Sequence, residues 1–194
     1  MKSYYCINDW HEVSQLMYRL SKRLKEEIAT NIVAFMVDDT PLLKESISFI
    51  YNWVSQPEGV GRSKGYYDVW DIVLRNYLPK ERPTLFRSCK RLSNRPIQSF
   101  TGKIYTAERF SDGHTGHLLI CDTKEYLQSE NETAEEHKRS FFSLYQCVEK
   151  AMTTTETCFS EYFYVMCKKE DEYIVRVNQD WLYDLKWNKK REDE

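Results

Sequence analysis

Apolar residues recur along this chain at two different spacings, and the change comes near Pro83. Before it, Trp10, Val13, Met17, Leu20, Leu24 and Ile28 lie three or four apart, the interval that stacks side chains on one face of a helix. Asp9 and Glu12 have capping-box spacing at the start of that run. Thr40-Pro41 pairs a capping residue with one suited to a first helical position. It predicts a second helix with an apolar stripe of Leu43, Ile47, Ile50 and Val54. Residues 56–65 hold one Pro and three Gly among polar neighbours and predict a loop. A third helix follows, with Val69, Ile72, Val73 and Tyr77 inward, ending before Pro79.

Beyond Pro83 the runs become short, apolar or alternating, which predicts strands at Thr84–Arg87, Ile97–Thr101, His117–Asp122, Glu161–Cys167 and Tyr173–Val177. Between them a short helix is expected at Lys103–Phe110. A longer one is expected at Thr133–Met152, carrying Phe141, Leu144, Tyr145 and Val148 on one face. Residues 188–194 read as a charged, frayed tail. Helices first and strands afterwards make the expected class α+β. Residues 1–80 would form a helical part packed on a β-rich core of residues 81–187, in one structural domain.

Composition narrows this picture. At 194 residues, 41% hydrophobic and 14% aromatic, the chain can fold around a core of its own. The 28 basic and 30 acidic residues are interspersed and leave a net charge of −2, so no broad basic field invites nucleic acid. The longest apolar runs, such as that from Asn31 to Val37, fall well short of the ~20 residues that span a bilayer. The six cysteines lack C-x-x-C spacing, and several sit in apolar runs. Reduced, mostly buried thiols in a soluble cytoplasmic protein without a leader peptide are therefore expected, including the cytoplasm of a host cell.

Candidate chemistry lies in three separated segments: Arg87 in TLFRS, Ser99-Phe100-Thr101 in IQSFTGK, and Glu170-Asp171-Glu172 in KKEDEYIVR. Two carboxylates spaced two apart at the start of a strand would share one face. One could stabilise positive charge growing at a sugar's anomeric carbon while the other accepts a proton from a nucleophile. A fixed guanidinium nearby suits a phosphate.

In that order the segments resemble the R-S-E pattern of arginine-type mono-ADP-ribosyltransferases. In that family a strand-borne Arg precedes a Ser-x-Ser/Thr strand with a downstream Ala-x-x-Phe, matched here by Ala107 and Phe110, and a Glu-x-Glu opens a later strand. The layout is similar to the small enzymes of T-even-type bacteriophages and to bacterial effector transferases. The resemblance implies a two-sheet, mixed or antiparallel core, NAD as substrate, a target protein as partner, and no metal. It implies that Arg87, with Ser88 beside it, contacts NAD. Ser99 would brace Glu172 and the ribose, with Thr101 at the third position of the motif, and Phe110 and Ala107 would pack near the nicotinamide. Glu172 would be the carboxylate on the ribose and Glu170 the group that selects and activates an arginine acceptor. Ser88 stands where the family often has Gly.

Other constellations point elsewhere. His114 and His117 lie three apart beside two glycines near Cys121 and fit a turn entering a strand better than a metal set. No Gly-rich dinucleotide fingerprint, P-loop or serine nucleophile elbow occurs. Two competing readings stand beside the transferase: a non-catalytic binding protein on the same scaffold, acting on a host factor through its helical N-terminal part, and an enzyme whose acceptor is a nucleobase or water.

Overall fold

Helix-forming periodicity and strand-forming alternation resolve, in the computed structural model, into six helices and one antiparallel sheet of six strands among the described residues. Those residues are 20–56, 62, 64–111, 113–124, 141–154, 159–177 and 182–187. In chain order the elements are α1 (Lys22–Asp38), α2 (Lys44–Ser55), α3 (Lys64–Asn76), β1 (Thr84–Cys89), β2 (Ile97–Thr101), α4 (Ile104–Arg109), β3 (His117–Asp122), β4 (Phe141–Ser143), α5 (Leu144–Thr153), α6 (Glu161–Glu170), β5 (Glu172–Arg176) and β6 (Leu182–Lys186). Strand order across the sheet is β4-β5-β2-β1-β3-β6.

The register sorts side chains onto two faces. Ser99 pairs with Ile174, which pairs in turn with Phe142. Ile97, Ile174 and Phe142 therefore share a face, and α1, α2, α3, α5 and α6 pack on it through Ile32, Phe49, Trp53, Trp70, Val148 and Phe163. Leu85, Phe100, Leu119, Phe141, Tyr173 and Val175 form a second cluster. Trp53 and Trp70 meet edge to face, with ring centroids 5.6 Å apart. Complete burial of side chains this large contributes roughly 1.5–3 kcal/mol each, so this aromatic contact ties α2 to α3 within the helical layer.

Several expectations change. The apolar periodicity that joins Leu20, Leu24 and Ile28 does not run through one helix: α1 starts at Lys22, capped by Ser21 accepting from the Leu24 amide. The capping box at Asp9 and the apolar positions before Leu20 lie outside the described residues. Thr40-Pro41 does not open α2. Asn31 of α1 receives the Leu43 amide at 2.8 Å and donates to the Pro41 carbonyl at 2.9 Å, holding the turn so that the helix starts at Lys44.

Glu161–Cys167 is helix, not strand: Ser160 accepts from the Phe163 amide, and Phe163 and Cys167 are buried four residues apart. Its aromatic and β-branched content suits a strand, but tertiary burial follows the helical period. Of the helix expected at Thr133–Met152, α5 supplies only the part from Leu144; Phe141 lies in β4 ahead of it, and the positions before residue 141 fall outside the described residues. Strands β4 and β6 were not expected. The two-sheet arrangement is observed as a single sheet, although its halves β4-β5-β2 and β1-β3-β6 meet at one registered pair, Phe86 with Thr101. No helix among the described residues is long and apolar enough to cross a membrane.

Candidate functional site

Because β1 and β2 share one registered pair, they diverge, and a cleft of about 550 Å³ opens where they part. Arg87, Ser99, Thr101, Phe110, Glu170 and Glu172 all line it. Arg87 bridges the divergence. Its Nη1 donates to the Ser99 carbonyl at 2.7 Å, so a charged side chain ties β1 to β2 beyond their one backbone pairing.

The two glutamates reach the cleft by a route different from strand alternation. Glu170 is the last residue of α6, Asp171 is its cap with φ 47° and ψ 51°, and Glu172 is the first residue of β5. A left-handed residue is a common way to end a helix, and Asp tolerates it better than most. Here it turns the chain so that a helix end and a strand start bring both carboxylates to one cavity. Three contacts hold the corner: the Asp171 amide donates to the Cys167 carbonyl at 2.8 Å, the Gly102 amide to the Asp171 carbonyl at 3.1 Å, and Thr101 Oγ1 to the Glu170 carbonyl at 2.7 Å. The Glu170 carboxylate, partly exposed, lies 3.5 Å from Arg109 Nη2.

Glu172 is set deeper. Trp53 Nε1 donates to its Oε1 at 3.0 Å, across 119 residues of sequence. Arg62 Nη2 lies 3.6 Å from the same oxygen. Arg62 Nη1 donates to Ser99 Oγ at 2.9 Å and Nη2 to the Trp53 carbonyl at 3.1 Å, while its guanidinium lies 3.8 Å from the Trp53 ring centroid. Burial pushes the Glu172 carboxyl above the ordinary carboxylate range. The Arg62 charge and hydrogen bonds from Ser99 and Trp53 pull it back down, and Glu170 pushes it further up. The adjoining Cys167 thiol is pushed up to about 12, chiefly by its burial and then by the charges of Glu172 and Glu170.

Compared with protein-family models, curated proteins and solved structures, the chain matches none.

The remaining expected site residues take distinct places. Thr101 is buried, its hydroxyl committed to the Glu170 carbonyl and the Lys103 amide. Ala107 is buried and Phe110 is largely exposed, both at the cleft. Ser88 borders the cleft, but its hydroxyl belongs to the frame: it donates to the Ala107 carbonyl at 2.6 Å and accepts from Trp187 Nε1 at 3.0 Å. His114 and His117 turn to separate partners, Glu108 at 2.6 Å and Asp184 at 2.8 Å. Sequence reading missed Arg62 and Trp53. Arg62 sits in a Gly-rich polar loop and Trp53 lies beside the expected α2 stripe, and neither position advertises a carboxylate more than a hundred residues away. The one usable signal is that a Trp is seldom buried without a partner for its N–H.

Proposed function

We propose that the protein transfers ADP-ribose from NAD to a protein side chain, most favourably arginine, and releases nicotinamide. The observation that supports this reading best is the convergence of Arg87, Ser99, Glu170 and Glu172, from three separated segments, on one cleft in which Glu172 is braced at the floor. A cleft of this size lies within the range that encloses small-molecule ligands.

In this reading the bond between nicotinamide and the ribose breaks with its electron pair leaving on nicotinamide. The ionised Glu172 stabilises the positive charge that grows at the anomeric carbon. The acceptor guanidine then forms the new bond to that carbon, and Glu170, more exposed and at the side of the cleft, takes the proton it sheds. Arg87 serves the dinucleotide's phosphates or its nicotinamide-side ribose.

Purified protein incubated with NAD and a small guanidine acceptor should release nicotinamide and add one ADP-ribose to the acceptor by mass. Both signals should vanish in Glu172→Ala. Glu170→Ala should lose transfer while retaining more of the NAD hydrolysis. A protein that is stabilised by NAD in a thermal-shift titration but releases no nicotinamide with any acceptor would be a binding protein, and the transferase reading would fail.

A further inference from the structure

Arg62 is the most constrained cation at the cleft, and no part of the scheme above uses it. Its side chain is only 6% exposed, and an arginine is rarely buried so far unless it is paired. Both terminal nitrogens are engaged, Nη1 with Ser99 Oγ and Nη2 with the Trp53 carbonyl, and its plane lies over the Trp53 indole. Nε is buried without a hydrogen-bond partner among the described residues, a cost of about 1–3 kcal/mol for a group of this kind.

Arg62 contacts Ser99 and Trp53 and approaches Glu172, and Trp53 Nε1 in turn donates to the Glu172 carboxylate. Ser99 accepts from Arg62 at its hydroxyl, while Trp53 accepts from Arg62 at its backbone carbonyl and donates to Glu172 through its indole.

We infer that Arg62 is a positioning residue for Glu172: its guanidinium, held over the Trp53 ring and bonded to Ser99, favours the charged form of the buried carboxylate and aims it into the cleft. The inference rests on the reading of Glu172 as the carboxylate that acts at the anomeric carbon. A carboxyl at this depth with no cation beside it would be protonated near neutrality, and a neutral acid stabilises no developing positive charge. The other elements packed around Glu172 cannot supply that cation. Glu170 at the end of α6 adds repulsion, and Cys167 of the same helix is a thiol. Trp53 of α2 and Ser99 of β2 are neutral, and Arg87 of β1 directs its Nη1 to the Ser99 backbone carbonyl and is not among the charges that act on Glu172. A fork with two terminal nitrogens can bond Ser99 and lie beside Glu172 at once, which a lysine ammonium cannot reproduce.

The test compares wild type with Arg62→Met. The Glu172 carboxyl is followed by ¹³C NMR titration and assigned by its disappearance in Glu172→Gln. The expected result is an upward shift of its midpoint by about one pH unit or more, a tenfold change in proton affinity. The acid limb of the pH profile for nicotinamide release should move up by the same amount, kcat should fall more than KM rises, and Arg62→Lys should recover part of the shift. An unmoved or lowered midpoint overturns the inference, and so does an Arg62→Met enzyme that turns over faster than wild type, which would make Arg62 a plug. If Arg62→Met does not fold, Arg62→Gln removes the charge and keeps a donor, and the same midpoint shift is required of it. A wild-type protein that neither binds nor cleaves NAD sinks the transferase reading, while the titration still decides whether Arg62 governs Glu172.

Discussion

Gly102 sits where β2 ends against the corner that carries both glutamates, and adding one methyl there tests that corner directly. A Cβ at this position would lie 2.3 Å from Asp171 Oδ2, 3.2 Å from its Cγ and 3.2 Å from Tyr173 Cε2. The glycine is needed for space. The Asp171 backbone is held in the left-handed region by the hydrogen bond from its amide to the Cys167 carbonyl and by the Gly102 amide on its own carbonyl, so relief must come from its carboxylate rotating away and from the Tyr173 ring giving way. Overpacking of this kind costs about 1–3 kcal/mol, offset by roughly 0.4–1 kcal/mol from the smaller freedom of Ala in the unfolded chain. The expected net loss for Gly102→Ala therefore lies within about 0–2.6 kcal/mol, centred near ~1.3 kcal/mol. At ~2–4 °C per kcal/mol for a chain of this length, the central value is a drop in Tm of about 3–5 °C. Asp171→Gly removes the obstructing carboxylate and takes the left-handed conformation at no steric cost, so in that background Gly102→Ala should cost under ~0.5 kcal/mol. Urea melts of the four proteins in the cycle measure the coupling. If the two changes prove additive within ~0.5 kcal/mol, or Gly102→Ala melts like wild type, Asp171 does not pack on Gly102 and the account of the corner is wrong.

Glu172→Gln should abolish nicotinamide release while leaving stability intact or higher. The folded carboxyl titrates above its unfolded value. Its contribution to stability is thus fully present below the ordinary carboxylate range and is lost as pH rises through the folded value. The advantage of Gln over Glu should accordingly grow from pH 4 to pH 7.5 in paired thermal melts, and an advantage that shrinks over that range would contradict the direction assigned. Arg87→Met should weaken the link between β1 and β2 and cost about 1.5–3 kcal/mol, the range for a charge-assisted bond. In an NAD titration the variant should also bind more weakly than wild type, and a variant unchanged in both measurements would remove Arg87 from the site. With its thiol pushed up to about 12, mainly by burial, Cys167 should resist iodoacetamide at pH 8 in the folded protein and react once it is unfolded, as read by peptide mass spectrometry. Rapid native labelling would refute that environment.

Strands β1, β2, β3 and β5 and the short helix α4 were legible as short apolar runs between polar neighbours, although burial does not alternate strictly within them: His117–Asp122 buries both Leu118 and Leu119. Failures came where local content and tertiary context disagree. Tyr162, Phe163, Tyr164 and Val165 suit a strand by type, yet Ser160 caps a helix there in which Phe163 and Cys167 are fully buried while Tyr162 and Val165 are exposed. Phe141-Phe142-Ser143 is buried on every residue, so no alternation marks it as β4. At the other edge, β6 exposes most of its residues and was lost among polar neighbours. The site divides in the same way. Its carboxylates and Arg87 were visible as motif residues, although the geometry that unites Glu170 with Glu172 is a helix end turning into a strand. The partners that set the chemistry of Glu172, Trp53 and Arg62, are contacts between distant segments, and no local pattern encodes them.

The lone Phe86–Thr101 rung also has a mechanical meaning. A sheet joined at its middle by one rung behaves as two stiff plates with a compliant seam, and bending concentrates in the seam. The groups proposed to do chemistry are mounted along that line, Arg87 on one plate and Ser99 and Glu172 on the other. Anything wedged between the plates loads both at once. The sparsest seam in the sheet and the groups proposed to do chemistry coincide, so occupancy of the cleft should register as slowed amide exchange in both outer ladders, well away from the point of contact.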